Sequence, residues 1–180
     1  EYTGDYPGMD ERALVEWHED RWKLLAVSGA DVLACETIPS ADEAAALATL
    51  AERHPGIPAW FSFSCRDGEH LRDGTPLREV AARCARVPGV VAIGVNCTAP
   101  RFVNELLDEL RAASETPAIV YPNSGEDYDA ATRTWRGEND AESFARMALG
   151  WRDRGAQFIG GCCRVGPAHI GALAEALGRF

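Results

Sequence analysis

Apolar and polar positions follow two alternating periods along this chain. Residues 9–28 (MDERALVEWHEDRWKLLAVS) carry apolar side chains at helical spacing behind Asp10, a residue type that caps helix N-termini. A short apolar run at 31–37 (DVLACET) then reads as a strand. Residues 40–53 (SADEAAALATLAER) return to the helical period, with Ser40 and Glu43 at capping-box spacing. The exchange continues to the end of the chain. Strands are predicted at 57–64 (IPAWFSFS), 89–97 (GVVAIGVNC), 117–125 (PAIVYPNSG) and 156–161 (AQFIGG). Helices are predicted near 76–86, 100–113, 140–154 and 166–180, and the stretch from Glu126 to Arg136 reads as a polar loop.

Strands that are almost continuously apolar and alternate with helices mark a parallel sheet covered on both faces. Two architectures fit: an open, doubly wound sheet, or the latter part of a closed eight-unit barrel. The strand ends choose between them. CETIP, SFSCRDG, GVNCTAP, YPNSGE and GGCCRVG all place polar or metal-capable residues at the C-terminal end of a strand. An open sheet concentrates its ligands at one switch point, whereas a barrel collects them from many strand ends onto one rim. The expected fold is therefore α/β: a (β/α)8 TIM barrel represented by its C-terminal five strand–helix units. Residues 1–180 read as a single domain, because no Pro/Gly/Ser-rich linker divides them.

Composition narrows the choice of partners. With 46% apolar residues the chain can fill one core, and its net charge of −10 disfavours nucleic-acid phosphates and anionic membranes. No apolar stretch reaches the roughly 18 residues of a membrane span. The acidic N-terminus lacks the basic and apolar regions of a secretory signal. Six cysteines dispersed through apolar segments indicate a reducing, cytoplasmic setting rather than a disulfide framework.

Three of those cysteines stand where a barrel rim would gather them. Cys97 ends one predicted strand, and Cys162 and Cys163 end another two units later. Three thiolates with a fourth position open form a catalytic rather than a structural zinc site. Gly160 and Gly161 are expected to break the last strand so that neighbouring side chains turn to one target. Buried core filling, a vicinal disulfide and an oxidisable sensor pair are the competing readings. Cys35, Cys65 and Cys84 read as structural, Cys65 being the one further thiol near the rim. Ser64, Asn123 and Ser124 end strands and either shape a pocket or cap turns. Tyr121 reads as barrel wall, and His18 and His169 as surface or packing residues on outer helices. His70 and Trp135 lie in strand-end loops that would border the pocket. Arg164 either bonds local carbonyls or contacts substrate.

The segments GVNC, YPNSGE and GGCCRVGPAHI, together with ETIPS and SFSCRDG, closely resemble the homocysteine S-methyltransferases, in order and over essentially the whole chain. EYTGDY resembles the family's approach to its third helix. The resemblance implies a (β/α)8 barrel of which this chain supplies the fourth to eighth units. It implies Zn2+ on Cys97, Cys162 and Cys163, with homocysteine as the methyl acceptor. It also implies that Glu36 meets the substrate's ammonium group and that Asn96 lines the same pocket; Ser64 is grouped with them as a substrate-binding residue. The family's first strand and its acidic, glycine-rich turn have no counterpart here. No attached cobalamin or folate module is evident, which favours a sulfonium donor, S-methylmethionine or S-adenosylmethionine, over betaine. The expected product is methionine, with no catalytic side chain beyond the metal centre and no oligomeric state implied. The alternatives are a non-catalytic zinc-binding or redox-sensing protein, or an inactive barrel fragment.

Overall fold

The computed structural model describes residues 3–129, 131–137 and 139–178; Glu1 and Tyr2, which open EYTGDY, lie outside them. Helix α1 (Glu11–Ala26) starts where Asp10 accepts a hydrogen bond from the Ala13 N–H at 2.9 Å. Strand β1 (Leu33–Ile38) leads to α2 (Ala41–Arg53), capped by the Ser40 hydroxyl on the Glu43 N–H. There follow β2 (Ala59–Phe63), α3 (Leu77–Cys84), β3 (Val90–Asn96) and, through one 3-10 turn at Pro100–Phe102, α4 (Val103–Ala113). Strand β4 (Ala118–Tyr121) precedes a hairpin of β5 (Asp127–Asp129) and β6 (Thr134–Arg136). Helix α5 (Ala141–Asp153), β7 (Ala156–Ile159) and α6 (Pro167–Leu177) complete the order.

The main sheet runs β1-β2-β3-β4-β7 and is parallel at every pairing. Five strand–helix units in sequence order are the expected partial barrel. The hairpin corrects the expectation of a polar loop: β5 and β6 pair antiparallel, with Tyr128 opposite Trp135. Neither strand has the apolar run that would announce it.

The core lies between the sheet and its helices. Phe61, Phe63, Val95 and Val120 meet Leu106, Leu107, Phe144 and Trp151, all essentially inaccessible to water. Transferring such side chains from water stabilises by about 1.5–3 kcal/mol each. Register between β3 and β4 depends on Gly94. A Cβ there would stand 1.6 Å from the Ile119 carbonyl oxygen, so no other residue fits. His18 and His169 are buried rather than on the surface. The His18 ring bonds Glu43 at 3.0 Å, and the His169 ring meets Phe144 edge-on. No helix among the described residues is long and apolar enough to cross a membrane.

Candidate metal and substrate site

Strands β3 and β7 both pair with β4, so the chain beyond β4 lies between the segments beyond its neighbours. That short segment is bonded on both sides. The Asn123 N–H donates to the Thr98 carbonyl at 3.0 Å and the Ser124 N–H to the Cys163 carbonyl at 3.0 Å. The Cys162 N–H returns a bond to the Pro122 carbonyl at 2.8 Å. Cys97, 65 residues before Cys162 in sequence, is thereby brought beside it.

The Cys97 sulfur lies 2.7 Å from that of Cys162 and 3.7 Å from that of Cys163, and all three fall within 4.8 Å of one another. A tetrahedral zinc site with Zn–S near 2.3 Å has sulfur–sulfur separations of about 3.8 Å. The Cys97–Cys163 spacing already matches, and the Cys97–Cys162 contact has to open by about 1 Å. Three soft sulfur donors, one buried and two half-buried, suit such an ion. Hydrogen bonding to Cys162, with burial, pushes the Cys97 thiol up, so Cys97 donates its proton. The same bond draws Cys162 down to about 6, and burial pushes Cys163 up. All six cysteines are free, so the vicinal disulfide is not formed. Burial pushes Cys35, Cys65 and Cys84 up to about 12, which leaves them protonated and inert at neutral pH.

The backbone turns by a different device from the expected one. Neither Gly160 nor Gly161 takes a positive φ. Of the four left-handed residues other than glycine among those described, Arg133 lies at the tip of the hairpin, and Cys97 (φ 48°), Arg164 (φ 67°) and Thr37 (φ 62°), at the end of β1, stand around the site. Such positions are costly for residues with a Cβ and cluster at functional sites. Gly161 is needed for room: a Cβ there would sit 2.1 Å from a Val165 methyl carbon.

Glu36 is exposed on β1 and accepts a hydrogen bond from the Tyr121 hydroxyl at 2.9 Å, which itself receives the Trp60 indole N–H at 3.3 Å. Tyr121 is thus more than wall. Asn96 is 1% exposed: its oxygen accepts the Thr37 N–H at 2.8 Å, its nitrogen donates to the Thr37 hydroxyl at 2.7 Å, and the side chain also bonds Cys162. It lies buried beneath the sulfurs. Ser64 is likewise wholly buried, under the Cys97 carbonyl and the Arg72 guanidinium. Through these bonds it is tied to the turn that carries Cys97. Arg164 pairs with Glu126 at 3.0 Å instead of with carbonyls, and His70 bonds its own loop at Asp67.

Beside the sulfurs opens a cleft of about 500 Å³, bordered by Cys97, Cys163, Arg72, Arg101, Tyr128 and Trp135. Its arginines were not singled out from the sequence. Arginine in strand-end loops of a chain with net charge −10 was the available signal.

The sequence profile described as homocysteine S-methyltransferase matches residues 1–177. This chain belongs to the homocysteine S-methyltransferase family. It is 45% identical over 174 residues to homocysteine S-methyltransferase YbgG of Bacillus subtilis, covering 97% of this chain and 55% of that protein. It is 49% identical over 175 residues to the homocysteine S-methyltransferase of Escherichia coli, covering 96% of this chain and 56% of that protein. The metallated form of the E. coli homocysteine methyltransferase MmuM superimposes with a TM-score of 0.81 at 42% identity, over 97% of this chain and 54% of that one. The chain thus spans about half the length of these homocysteine S-methyltransferases, and its five units match part of their TIM-barrel-like fold.

Proposed function

We propose that this protein transfers a methyl group from a sulfonium compound, S-methylmethionine or S-adenosylmethionine, to the thiol of homocysteine, giving methionine. In this reading residues 1–180 form a single domain, corresponding to the C-terminal five units of the barrel. Zn2+ is held by Cys97, Cys162 and Cys163. The observation that carries the reading is the meeting of these three thiols, from strand ends far apart in sequence, at the edge of a cleft. The metallated relative supports a metal; three thiolate donors favour zinc.

A free thiol with pKa near 8.5 is mostly protonated at neutral pH, and its thiolate is the nucleophile. Bound by the three cysteines, zinc would keep the homocysteine sulfur deprotonated, so that no side-chain base is required. Asn96 fixes the Cys162 sulfur and the left-handed Thr37 together, which ties the end of β1 to the sulfurs. Ser64 and Arg72 hold the Cys97 carbonyl and so the strained turn that aims its sulfur. Glu36, exposed and steadied by Tyr121, receives the homocysteine ammonium. The displacement is in line: a carbon–sulfur bond forms to homocysteine, the donor's methyl–sulfur bond breaks, and its electron pair stays on the donor sulfur. The thiol proton leaves to solvent. A sulfonium needs no further cofactor to make its methyl group electrophilic. The requirement that three thiols stay reduced fits a cytoplasmic setting.

The test is to load the protein with zinc and incubate it with homocysteine and each of S-methylmethionine, S-adenosylmethionine and betaine. Methionine is expected from a sulfonium donor. Its absence with every donor sinks the reading.

A further inference from the structure

Three side chains from three strands form a hydrogen-bonded line whose direction their chemistry fixes. The Trp60 indole N–H on β2 donates to the Tyr121 hydroxyl on β4 at 3.3 Å, and that hydroxyl donates to the Glu36 carboxylate on β1 at 2.9 Å. An indole nitrogen only donates and a carboxylate only accepts, so the hydroxyl between them has one possible role toward each. Burial pushes the Tyr121 phenol up, so it keeps the proton it donates. Strands β1 and β4 are separated by β2 and β3, three spacings of about 4.8 Å, and yet their side chains touch. The sheet therefore curves, and the contact crosses its hollow side.

The strand between them leaves that path open. Tyr121 pairs with Asn96, and by alternation Gly94 faces the same side and brings no side chain to it. Because Asn96 is the residue before Cys97, the line also runs just below the sulfurs. At its far end Glu36 is exposed, and its carboxylate takes part in no other hydrogen bond among the described residues. One of its oxygens is thus fastened from inside the fold, and the other is presented to a ligand. Partners for the two aromatic residues would be supplied by the Trp60–Tyr121 bond alone. The second bond, made to an exposed carboxylate that water could serve as well, acts on Glu36. A glutamate side chain left against water samples several rotamers, and holding it in one before a ligand arrives removes an ordering cost from binding.

We propose that Tyr121, backed by Trp60, is a positioning residue for the methyl acceptor: the pair holds the Glu36 carboxylate where it meets an α-ammonium group, and so selects amino thiols over thiols that lack the amine. The inference rests on the homocysteine reading above and deepens it, assigning acceptor selectivity to two side chains that act through a third. A ligand whose sulfur joins the three cysteines and whose ammonium meets Glu36 spans the interval that Tyr121 sets.

Equilibrium dialysis of labelled homocysteine against the zinc-loaded protein reads acceptor binding without turnover, and initial rates of methionine formation read it in the reaction. The comparison ligand is 4-sulfanylbutanoate, the same thiol acid without its amine. Tyr121→Phe removes one oxygen and keeps the ring. It is expected to weaken homocysteine binding and raise the homocysteine KM about tenfold, with kcat changed far less and 4-sulfanylbutanoate binding as before. Trp60→Phe should act in the same direction by about threefold. In a Glu36→Gln background, where the charge to be positioned is gone, adding Tyr121→Phe should bring no further loss. Equal losses for both ligands in Tyr121→Phe, the mark of a merely structural role, overturn the inference. So does unchanged homocysteine binding in that variant, or no homocysteine binding by the unaltered protein. The expected binding pattern without methionine from any donor supports the positioning role and defeats the methyl-transfer reading instead.

Discussion

The sulfur rim and the aromatic hairpin border one cleft but are built on opposite plans. At the rim, main-chain hydrogen bonds from Pro122, Asn123 and Ser124 reach both flanking segments, and Cys97, Asn96, Ser64 and Thr98 are all buried. In the hairpin, two strands of three residues each pair only with one another, and a two-stranded ribbon is marginal by itself. Its tie to the rim is a knot of side chains on Glu126. The contrast teaches where precision is needed. Sulfur donors must be held to a fraction of an ångström, a task suited to backbone in a packed sheet. An element outside the sheet, which carries none of the sulfurs, can be held by side chains alone.

The contrast breaks most completely if the rim loses a sulfur. Cys97→Ala is expected to release zinc and reduce methionine formation to background, read as metal stoichiometry and product; a sensor built on the neighbouring pair alone would keep its metal. Next comes Gly94→Ala, which forces a methyl group into the Ile119 carbonyl and should cost about 3 kcal/mol or more of stability in urea unfolding, if the chain folds at all. Asn96→Ala leaves the fold in place but unfastens Cys162 from Thr37. Zinc affinity should fall about 10–100-fold in competition with a chelator. On the hairpin side, Glu126→Gln should only loosen the β5–β6 ribbon, read as faster amide exchange at Tyr128 and Trp135 with zinc content unchanged, because the pair it weakens is partly exposed.

The smallest effect concerns pH. Burial pushes the Asp67 carboxyl up, but the N–H groups of Glu69 and His70, the His70 ring and Arg66 outweigh it and hold it at about 2 against an ordinary 3.8. A carboxylate depressed by folding contributes stability that is complete above the unfolded value and is lost as pH falls through the folded one. Melting temperatures measured from pH 5 to pH 2 should therefore fall less steeply below pH 4 in Asp67→Asn than in the unaltered protein.

What was legible in the sequence followed from period and position. Apolar runs such as AIVY and AWFSF could only be buried strands, and placing Asn96-Cys97 and Cys162-Cys163 at strand ends put them on one rim whatever their separation. The hairpin escaped because Asp127–Asp129 and Thr134–Arg136 are too short and too polar to show a two-residue period. The depth of Ser64 was not legible for a related reason: alternation fixes inside from outside only within a strand, and the segment beyond β2 folds back, with Arg72 donating its N–H to the Ser64 carbonyl. Gly161 was rightly marked but for the wrong cause, since crowding by Val165 depends on a chain turn that no local pattern displays.

The tripeptide Pro122–Asn123–Ser124, bonded on both flanks, acts as a common datum from which the two halves of the thiol cluster are measured. One extra residue inserted there would shear those halves apart by about 3.3 Å, the rise of a strand residue. An insertion at 131–133, in the tip of the hairpin, would only lengthen a turn. An added residue is therefore expected to be tolerated on one side of the cleft and not on the other.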